Sequence, residues 1–149
     1  MVQEAFELVE DIFKDKTDKG GHPYINHLIR VSSKMQDKSK KTIALLHDII
    51  EDTDITKEDL IKKGFPTTIA NAVYILSRQE GESYSNFINR IAESNNMSAI
   101  EVKLADLEDN MDINRISNPT EKDHDRVKKR YKPSYEKLQN TLKDIKRKL

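Results

Sequence analysis

Three features of this 149-residue sequence predict an all-α fold. Apolar residues recur at intervals of three and four through almost every segment, as on the buried face of a helix. No stretch sustains the alternation of apolar and polar residues that marks a half-buried strand. Loop-forming residues separate the periodic segments, most clearly at 17–22, which contains two adjacent glycines. These features predict a compact bundle of about seven or eight helices.

Periodicity and capping residues predict four helices before Gly64, over residues 4–14, 24–35, 39 to about 51, and 57–63. Ser39 is the predicted N-cap of the third helix, because its hydroxyl can accept a free backbone N–H of the first turn. Thr56 and Asp59 have the spacing of a reciprocal capping pair. Gly64 is predicted to end the fourth helix.

Four further helices are predicted after Gly64: over residues 66 to about 78, from 84 onward, over 99 to about 113, and a long terminal helix that follows Pro119. Pro66 suits a first helical turn, where its missing N–H is not needed. Ser83 and Ser98 are the predicted N-caps of the next two helices. Pro133 lies inside the terminal pattern and predicts a kink or break near Lys132.

The bulk composition favours one domain covering residues 1–149, with a polar surface around an adequate core. Charged residues make up 35% of the chain and hydrophobic residues 36%. There is no cysteine, which excludes disulfides and thiolate chemistry. No apolar run could span a bilayer and no signal segment opens the chain, so a cytoplasmic protein without a membrane partner is expected. The sequence does not decide the oligomeric state.

The net charge is zero, but the charges are unevenly distributed. Residues 121–149 contain eleven Lys/Arg and five Asp/Glu, so the rest of the chain is acidic. The basic segment can be a solvated helix face or a surface for an anionic ligand. A helical nucleic-acid-binding domain is disfavoured, because the overall charge is neutral and no aromatic stacking platform is evident.

The segment ALLHDIIEDT, residues 44–53, carries the main chemical signal. It places His47, Asp48, Glu51 and Asp52 inside the most hydrophobic run of the chain. His47 and Glu51 are four residues apart, as are Asp48 and Asp52, so a continuous helix would present two neighbouring polar rows. Buried carboxylates are costly unless a cation or hydrogen bonds compensate them. A divalent metal ion would supply that compensation.

Further ligands are sought among the remaining histidines and acids. His27 lies on an interior-patterned helix, where a lone histidine is more often a satisfied core residue. Asp106 lies in the most apolar part of residues 102–112, four residues before Asn110, and could equally be a surface acid paired with Lys103. Four other polar residues are predicted to be exposed: His22, His124, Asp109 and Asp112.

Three strings in order, PYINH (23–27), ALLHDIIEDT (44–53) and VKLADLEDN (102–110), resemble HD-domain metal-dependent phosphohydrolases. More narrowly, the chain resembles the hydrolase domain of RelA/SpoT proteins and the small alarmone hydrolases of the metazoan SpoT homologue type, over residues 5–135. The resemblance implies that His27, His47, Asp48 and Asp106 are metal ligands. The ion in this family is usually Mn²⁺, although Zn²⁺ or Fe²⁺ would also suit a His₂Asp₂ set.

The resemblance also implies that Glu51 and Asp52 act in catalysis, and it matches three positions to nucleotide contacts: Lys19, Asn110 and Arg126. The implied reaction is hydrolysis of the 3′-pyrophosphate of a guanosine or adenosine alarmone, without a synthetase domain. Asp18 and Asp112 stand where many members of the family carry basic residues. They remove positive charge near the expected substrate and leave its base and phosphate pattern open.

Two other functions are consistent with the same residues. One is an HD phosphohydrolase acting on another phosphorylated nucleotide, such as NADPH or a nucleoside monophosphate. The other is a non-catalytic nucleotide-binding module, against which the retained Glu51 and Asp52 argue. Lys103 is a further candidate to neutralise substrate phosphates, and is as easily a surface lysine of its helix.

Overall fold

The computed structural model describes residues 1–149 and contains no β-strand. An isolated bridge between Thr17 and Pro23 closes the glycine loop. A 3₁₀ turn spans Ile113–Arg115 and a π-helical turn spans Val127–Tyr131. The α-helices are α1 (Val2–Ile12), α2 (Ile25–Ser33), α3 (Lys38–Leu46), α4 (Ile49–Asp52), α5 (Lys57–Lys62), α6 (Thr67–Ile75), α7 (Tyr84–Glu93), α8 (Met97–Met111), α9 (Glu121–Arg126) and α10 (Lys132–Arg147). The all-α prediction is confirmed.

Helix α3 lies at the centre of the bundle, where every residue from Thr42 to Leu46 is buried. It packs against α1, α2, α6 and α8, while α10 packs along α8 and buries Leu138 completely. A helix surrounded by partners needs apolar residues on all sides rather than one stripe, which explains the continuous run ending in ALL. None of the helices combines the length and apolar character needed to cross a membrane.

Two of the predicted caps are confirmed. The Ser83 hydroxyl accepts the backbone N–H of Asn86 and opens α7. Thr56 and Asp59 form a reciprocal capping box that opens α5, so two otherwise free N–H groups are satisfied.

Two other predicted caps are wrong by two residues. Asp37, not Ser39, caps α3 by accepting the N–H of Lys40. Asn96, not Ser98, caps α8. In both cases the side chain two positions before the serine accepts hydrogen bonds equally well. Asp37 and Asn96 have the extended backbone of an N-cap, and the serines lie within the first turn of the helix.

The predicted continuous helix to residue 50 or 51 is also wrong, because α3 ends at Leu46 and α4 begins at Ile49. The imidazole Nδ1 of His47 lies 2.6 Å from the carbonyl oxygen of Ala44. In an unbroken helix that carbonyl would accept the N–H of Asp48. The side chain of His47 thus takes over a backbone acceptor, and the chain turns where the two chemically important residues lie.

A kink or break was predicted near Lys132; the backbone is irregular just before this residue, but the helix continues through it. The π-helical turn Val127–Tyr131 separates α9 from α10, and Pro133 lies in the first turn of α10, where no intrahelical N–H is required. Such turns within helices frequently occur at functional sites. Here the turn faces the pockets described below.

Leu107 gives a test of the core, because it is fully buried on α8 beside the site residue Asp106. Leu107→Ala is expected to lower the free energy of unfolding by about 2–5 kcal/mol, since it removes buried methyl groups and leaves a cavity. Urea unfolding followed by circular dichroism measures the change. Ile61→Ala on α5, where the side chain is 38% exposed, is the matched control. Equal losses for both variants would contradict this assignment of the core.

Candidate metal centre and adjoining pocket

Four predicted ligands converge in one buried cluster. His27 comes from α2, His47 and Asp48 from the turn between α3 and α4, and Asp106 from α8. Oδ1 of Asp106 lies 2.9 Å from His27 Nε2 and 3.3 Å from His47 Nε2. Oδ2 of Asp48 lies 3.4 Å from His47 Nε2. One ligand atom each from His27, His47 and Asp48 lies within 4.8 Å of the others, so a single ion could contact them.

The donor set fits a divalent ion because the outer nitrogen of each imidazole already has a partner. Nδ1 of His47 faces the Ala44 carbonyl, which can only accept, so Nδ1 carries the proton. Nδ1 of His27 lies 2.5 Å from Oδ2 of Asp109. Both Nε2 atoms consequently face the cluster. Partners of this kind, which hold an imidazole ring in one orientation, are typical of metal-binding histidines.

The carboxylates of the cluster favour protonation of the two histidines. Burial disfavours the charged form of His27, but hydrogen bonds to Asp106 and Asp109 outweigh it and raise its pKa to about 9. Burial likewise opposes charge on His47, while Asp48 and Asp106 raise its pKa overall. Burial alone would raise the pKa of Asp106, yet Lys103 and the histidines hold it well below the usual value. The cluster therefore attracts positive charge.

Asp109 was predicted to be exposed, and this prediction is wrong. Its side chain is 3% exposed and lies against the back of His27. Oδ1 of Asp109 accepts hydrogen bonds from Arg30 Nε at 2.8 Å and from Arg115 at 3.1 Å. These arginines come from α2 and the 3₁₀ turn, so helix periodicity within α8 alone could not reveal them. They allow a charged carboxylate to be buried there.

Two residues that support the carboxylates escaped the sequence analysis. The Tyr24 hydroxyl donates a hydrogen bond to Oδ2 of Asp48. Nζ of Lys16 lies 3.0 Å from Oδ2 of Asp52 and 4.1 Å from the ring centroid of Tyr24. Tyr24 belongs to the matching string PYINH, which could have indicated its place at the site. No motif in the sequence indicated Lys16.

The structure separates Glu51 from Asp52, which the sequence analysis treated as a pair. Glu51 lines the cavity that contains the metal cluster, and its Oε1 accepts the backbone N–H of Arg78 at 2.7 Å. Desolvation against the cavity wall raises the pKa of Glu51. Asp52 instead pairs with Lys16 and does not line that cavity. Of the two, Glu51 is the carboxylate that faces the candidate reaction centre.

Lys19, Asn110 and Arg126 line a second pocket, which adjoins the metal cavity. Its volume of about 300 Å³ is at the lower end of small-molecule sites. Asn110 lies between the two spaces, and its Nδ2 is 3.3 Å from Oδ1 of Asp106. Nζ of Lys19 lies 3.1 Å from Oδ1 of Asp123, so that ion pair partly neutralises it. The three predicted substrate residues thus share one pocket.

The two unusual acids of this pocket have structural partners. Oδ1 of Asp18 accepts the backbone N–H groups of Gly20 and His22, each at 2.9 Å, which folds the glycine loop. Asp112 lies 3.6 Å from Arg115. A side chain at Gly20 would approach the Arg115 carbonyl oxygen to 2.5 Å, so only glycine lets the loop lie against this turn.

The chain is similar to known proteins both in sequence and in structure. A guanosine-3′,5′-bis(diphosphate) 3′-pyrophosphohydrolase of Aquifex aeolicus is 31% identical over 122 residues, covering 74% of this chain and 17% of that protein. The pyrophosphohydrolase MESH1 of Drosophila melanogaster is 33% identical over 110 residues, covering 66% of this chain and 59% of that protein. The chain thus spans about a sixth of the bacterial relative. No protein-family model matches it.

A solved structure of a metazoan orthologue of SpoT that hydrolyses ppGpp matches with a TM-score of 0.72 and 25% identity. The match covers 99% of this chain and 94% of that one. Fold and clustered His and Asp residues define an all-α protein of the HD type. More narrowly, the chain is a homologue of the HD-type alarmone hydrolases, and the resemblance inferred from the three strings is confirmed.

Proposed function

We propose that this chain is a metal-dependent hydrolase that removes the 3′-pyrophosphate of (p)ppGpp-like alarmones. The observation that carries the proposal is the convergence of His27, His47, Asp48 and Asp106 beside a pocket of about 300 Å³. These residues would hold Mn²⁺, which mixed imidazole and carboxylate ligands suit, as they also suit Zn²⁺ or Fe²⁺. A bound ion of this kind lowers the pKa of a water ligand and polarises a phosphoryl oxygen.

Proton transfer is assigned to Glu51, because it lines the cavity. Its carboxylate takes a proton from the water that attacks the phosphorus attached to the 3′ oxygen. The bond between that phosphorus and the 3′ oxygen breaks, pyrophosphate leaves, and the 3′ oxygen receives the proton. Asp52 is assigned a positioning role, since it holds Lys16 against the ring of Tyr24, whose hydroxyl orients Asp48.

The nucleoside is assigned to the pocket of Lys19, Asn110 and Arg126. Arg126 has no hydrogen-bond or ion-pair partner for its guanidinium group, so it is available to a substrate phosphate. Asn110 touches both this pocket and Asp106, which suits a residue that contacts the substrate near the scissile bond.

The proposed activity is tested by incubating the purified chain with ppGpp, ppApp and NADPH in the presence of Mn²⁺ and separating the products by ion exchange. Release of pyrophosphate from ppGpp or ppApp is the expected result. Nucleotide binding by calorimetry without turnover would contradict the proposal and indicate a binding module.

A second candidate function is hydrolysis of another phosphorylated nucleotide. The specific observation in its favour is the neutralisation of Lys19 by Asp123 in a pocket that also contains Asp18 and Asp112. This pocket therefore offers a substrate less positive charge than the family pattern implies. Phosphate release from NADPH, without pyrophosphate release from the alarmones, would favour this candidate.

Glu51→Gln tests the assigned proton acceptor. The variant is expected to lose about 10²–10⁴-fold in kcat, the usual contribution of general acid–base catalysis. Its metal content, measured by elemental analysis, should stay that of the unmodified chain, because Glu51 is not among the converging ligands. Glu58→Gln on α5, an exposed acid, is the matched control. An unchanged kcat for Glu51→Gln would remove this residue from the chemical step.

A further inference from the structure

Glu51 is held in the metal cavity by a single backbone group. Its Oε1 accepts the N–H of Arg78 at 2.7 Å, and its carboxylate makes no other hydrogen bond or ion pair. Helix α4, which carries Glu51, is four residues long, and the side chain remains accessible to solvent. Packing alone does not fix a carboxylate in such a place. Its orientation therefore depends on the peptide unit that joins Ser77 to Arg78.

The same peptide unit is also held from its opposite side. A trans peptide is planar and its carbonyl and N–H point in opposite directions, so fixing the carbonyl of Ser77 also fixes the N–H of Arg78. The carbonyl oxygen of Ser77 accepts hydrogen bonds from Nη2 of Arg90 and from Nε2 of Gln79, each at 2.8 Å. Ser77 is 1% exposed, so water does not compete for this carbonyl. The peptide unit is thus fixed at both of its polar atoms.

Arg90, on α7, is itself held by Glu82. Its Nε and Nη2 lie 2.9 Å and 3.1 Å from the two carboxylate oxygens of Glu82, a paired contact that fixes the plane of the guanidinium. Nη1 of Arg90 donates to the carbonyl of Ile75 at 3.1 Å. Oε1 of Glu82 also accepts the backbone N–H of Gln79 at 3.0 Å. One network therefore joins α7 to the loop that follows α6.

Part of this network is ordinary helix termination. The last carbonyls of a helix lack intrahelical partners, and Arg90 donates to that of Ile75, the final residue of α6. The contact with Ser77 differs, because the N–H of the same peptide unit leads to Glu51. Arg90 lines neither the metal cavity nor the adjoining pocket, so its link to the candidate reaction centre runs through the backbone.

We propose that Arg90, held by Glu82, is a positioning residue for the carboxylate of Glu51. It holds the Ser77–Arg78 peptide unit so that the N–H points at Oε1, which leaves Oε2 for the attacking water. The guanidinium also polarises this peptide unit, because hydrogen bonds in a chain strengthen one another. The inference rests on the proposed function, in which Glu51 is the proton acceptor.

Arg90→Lys tests this role by steady-state kinetics with ppGpp. Lysine keeps the charge beside Glu82, so the variant is expected to fold, but it lacks the planar fork that reaches Glu82 and the Ser77 carbonyl together. We expect kcat to fall about 10- to 100-fold through misplacement of Glu51, while KM stays within about twofold. Arg147→Lys, the same change at an exposed arginine of α10, is the matched control and should alter neither constant. An unchanged kcat for Arg90→Lys would overturn the proposal.

A double-mutant cycle separates positioning of Glu51 from general support of the fold. Arg90→Lys is introduced again into Glu51→Gln, where no carboxylate remains to be positioned. The residual rate should then change by no more than about twofold, because residues that act in one step are not additive. An equal loss of rate in both backgrounds would contradict the proposal, since Arg90 would then act independently of Glu51.

Amide hydrogen exchange detects the same contact without turnover. The N–H of Arg78 should exchange about tenfold faster in Arg90→Lys, and less markedly faster in Glu82→Gln, which keeps the shape of the side chain but weakens its hold on Arg90. The N–H of Leu76, which is bonded to carbonyls of α6, is the internal reference and should keep its rate. Circular dichroism confirms that each variant is folded.

The exchange rates separate this inference from the proposed activity. An unchanged rate at Arg78, or an equal rise at Leu76 that reports fraying of α6, overturns the positioning role even if the chain hydrolyses ppGpp. A rise confined to Arg78 supports the hold on the Glu51 carboxylate even if ppGpp is not turned over, in which case the proposed activity fails alone.

Discussion

Asp48→Asn is expected to reduce ppGpp hydrolysis by about 10³-fold or more. Asp48 supplies one of the two carboxylates of the converging set and lies 3.4 Å from His47 Nε2. Asparagine keeps the shape but loses the charge that offsets a divalent cation. Charge stabilisation of the transition state by such an ion is worth several kcal/mol, and about 1.4 kcal/mol corresponds to a tenfold change in rate.

Turnover of ppGpp and bound metal are measured together for this variant. Asp54→Asn provides the control, because Asp54 is an exposed acid two residues beyond Asp52 with no ion pair. It should retain both metal and activity. Full activity of Asp48→Asn without bound metal would rule out the metal-dependent mechanism, and full activity with bound metal would remove Asp48 from it.

Asp109→Asn is expected to weaken Mn²⁺ binding by about 10- to 100-fold, the usual effect of losing an outer-shell partner. Both oxygens of Asp109 accept hydrogen bonds: Oδ1 from Arg30 and Arg115, and Oδ2 from His27 and Arg30. The side-chain NH₂ group of asparagine, placed at either oxygen position, would face a hydrogen-bond donor and could not accept from it. The variant therefore loosens the imidazole of His27 without touching the converging ligand atoms.

Competition with a chelating dye gives the apparent Kd for Mn²⁺, and activity is then measured at saturating Mn²⁺. Excess ion should restore most of the kcat of Asp109→Asn, as expected for a positioning residue. Asp112→Asn is the control, because Asp112 contacts the same Arg115 but is exposed. An unchanged Kd for Asp109→Asn would show that His27 needs no support from this carboxylate.

The sequence predicted the helical class and the residues that meet at the centre. Apolar spacing and capping chemistry are local, so they located α5 and α7 well, including the Thr56 capping box. The order of His27, His47-Asp48 and Asp106 matched a known pattern, and the structure brings these side chains together.

Contacts between distant segments could not be predicted. Asp109 looked exposed because its arginine partners lie on α2 and beyond α8. The pairing of Lys19 with Asp123 joins residues 104 positions apart. Periodicity also extended one helix through His47, because spacing does not register a side chain that competes for a backbone carbonyl.

The interruption of the helix at His47 lowers the regularity of the backbone at a buried position of the core. His47 is 3% exposed, and an aliphatic residue at this buried position would favour one continuous helix from α3 into α4. Selection for stability alone would favour an aliphatic residue over this imidazole, because burying a polar ring costs desolvation free energy. A local departure from helical regularity at a buried polar side chain is the kind of feature expected at a functional site, and His47 is where this chain has one.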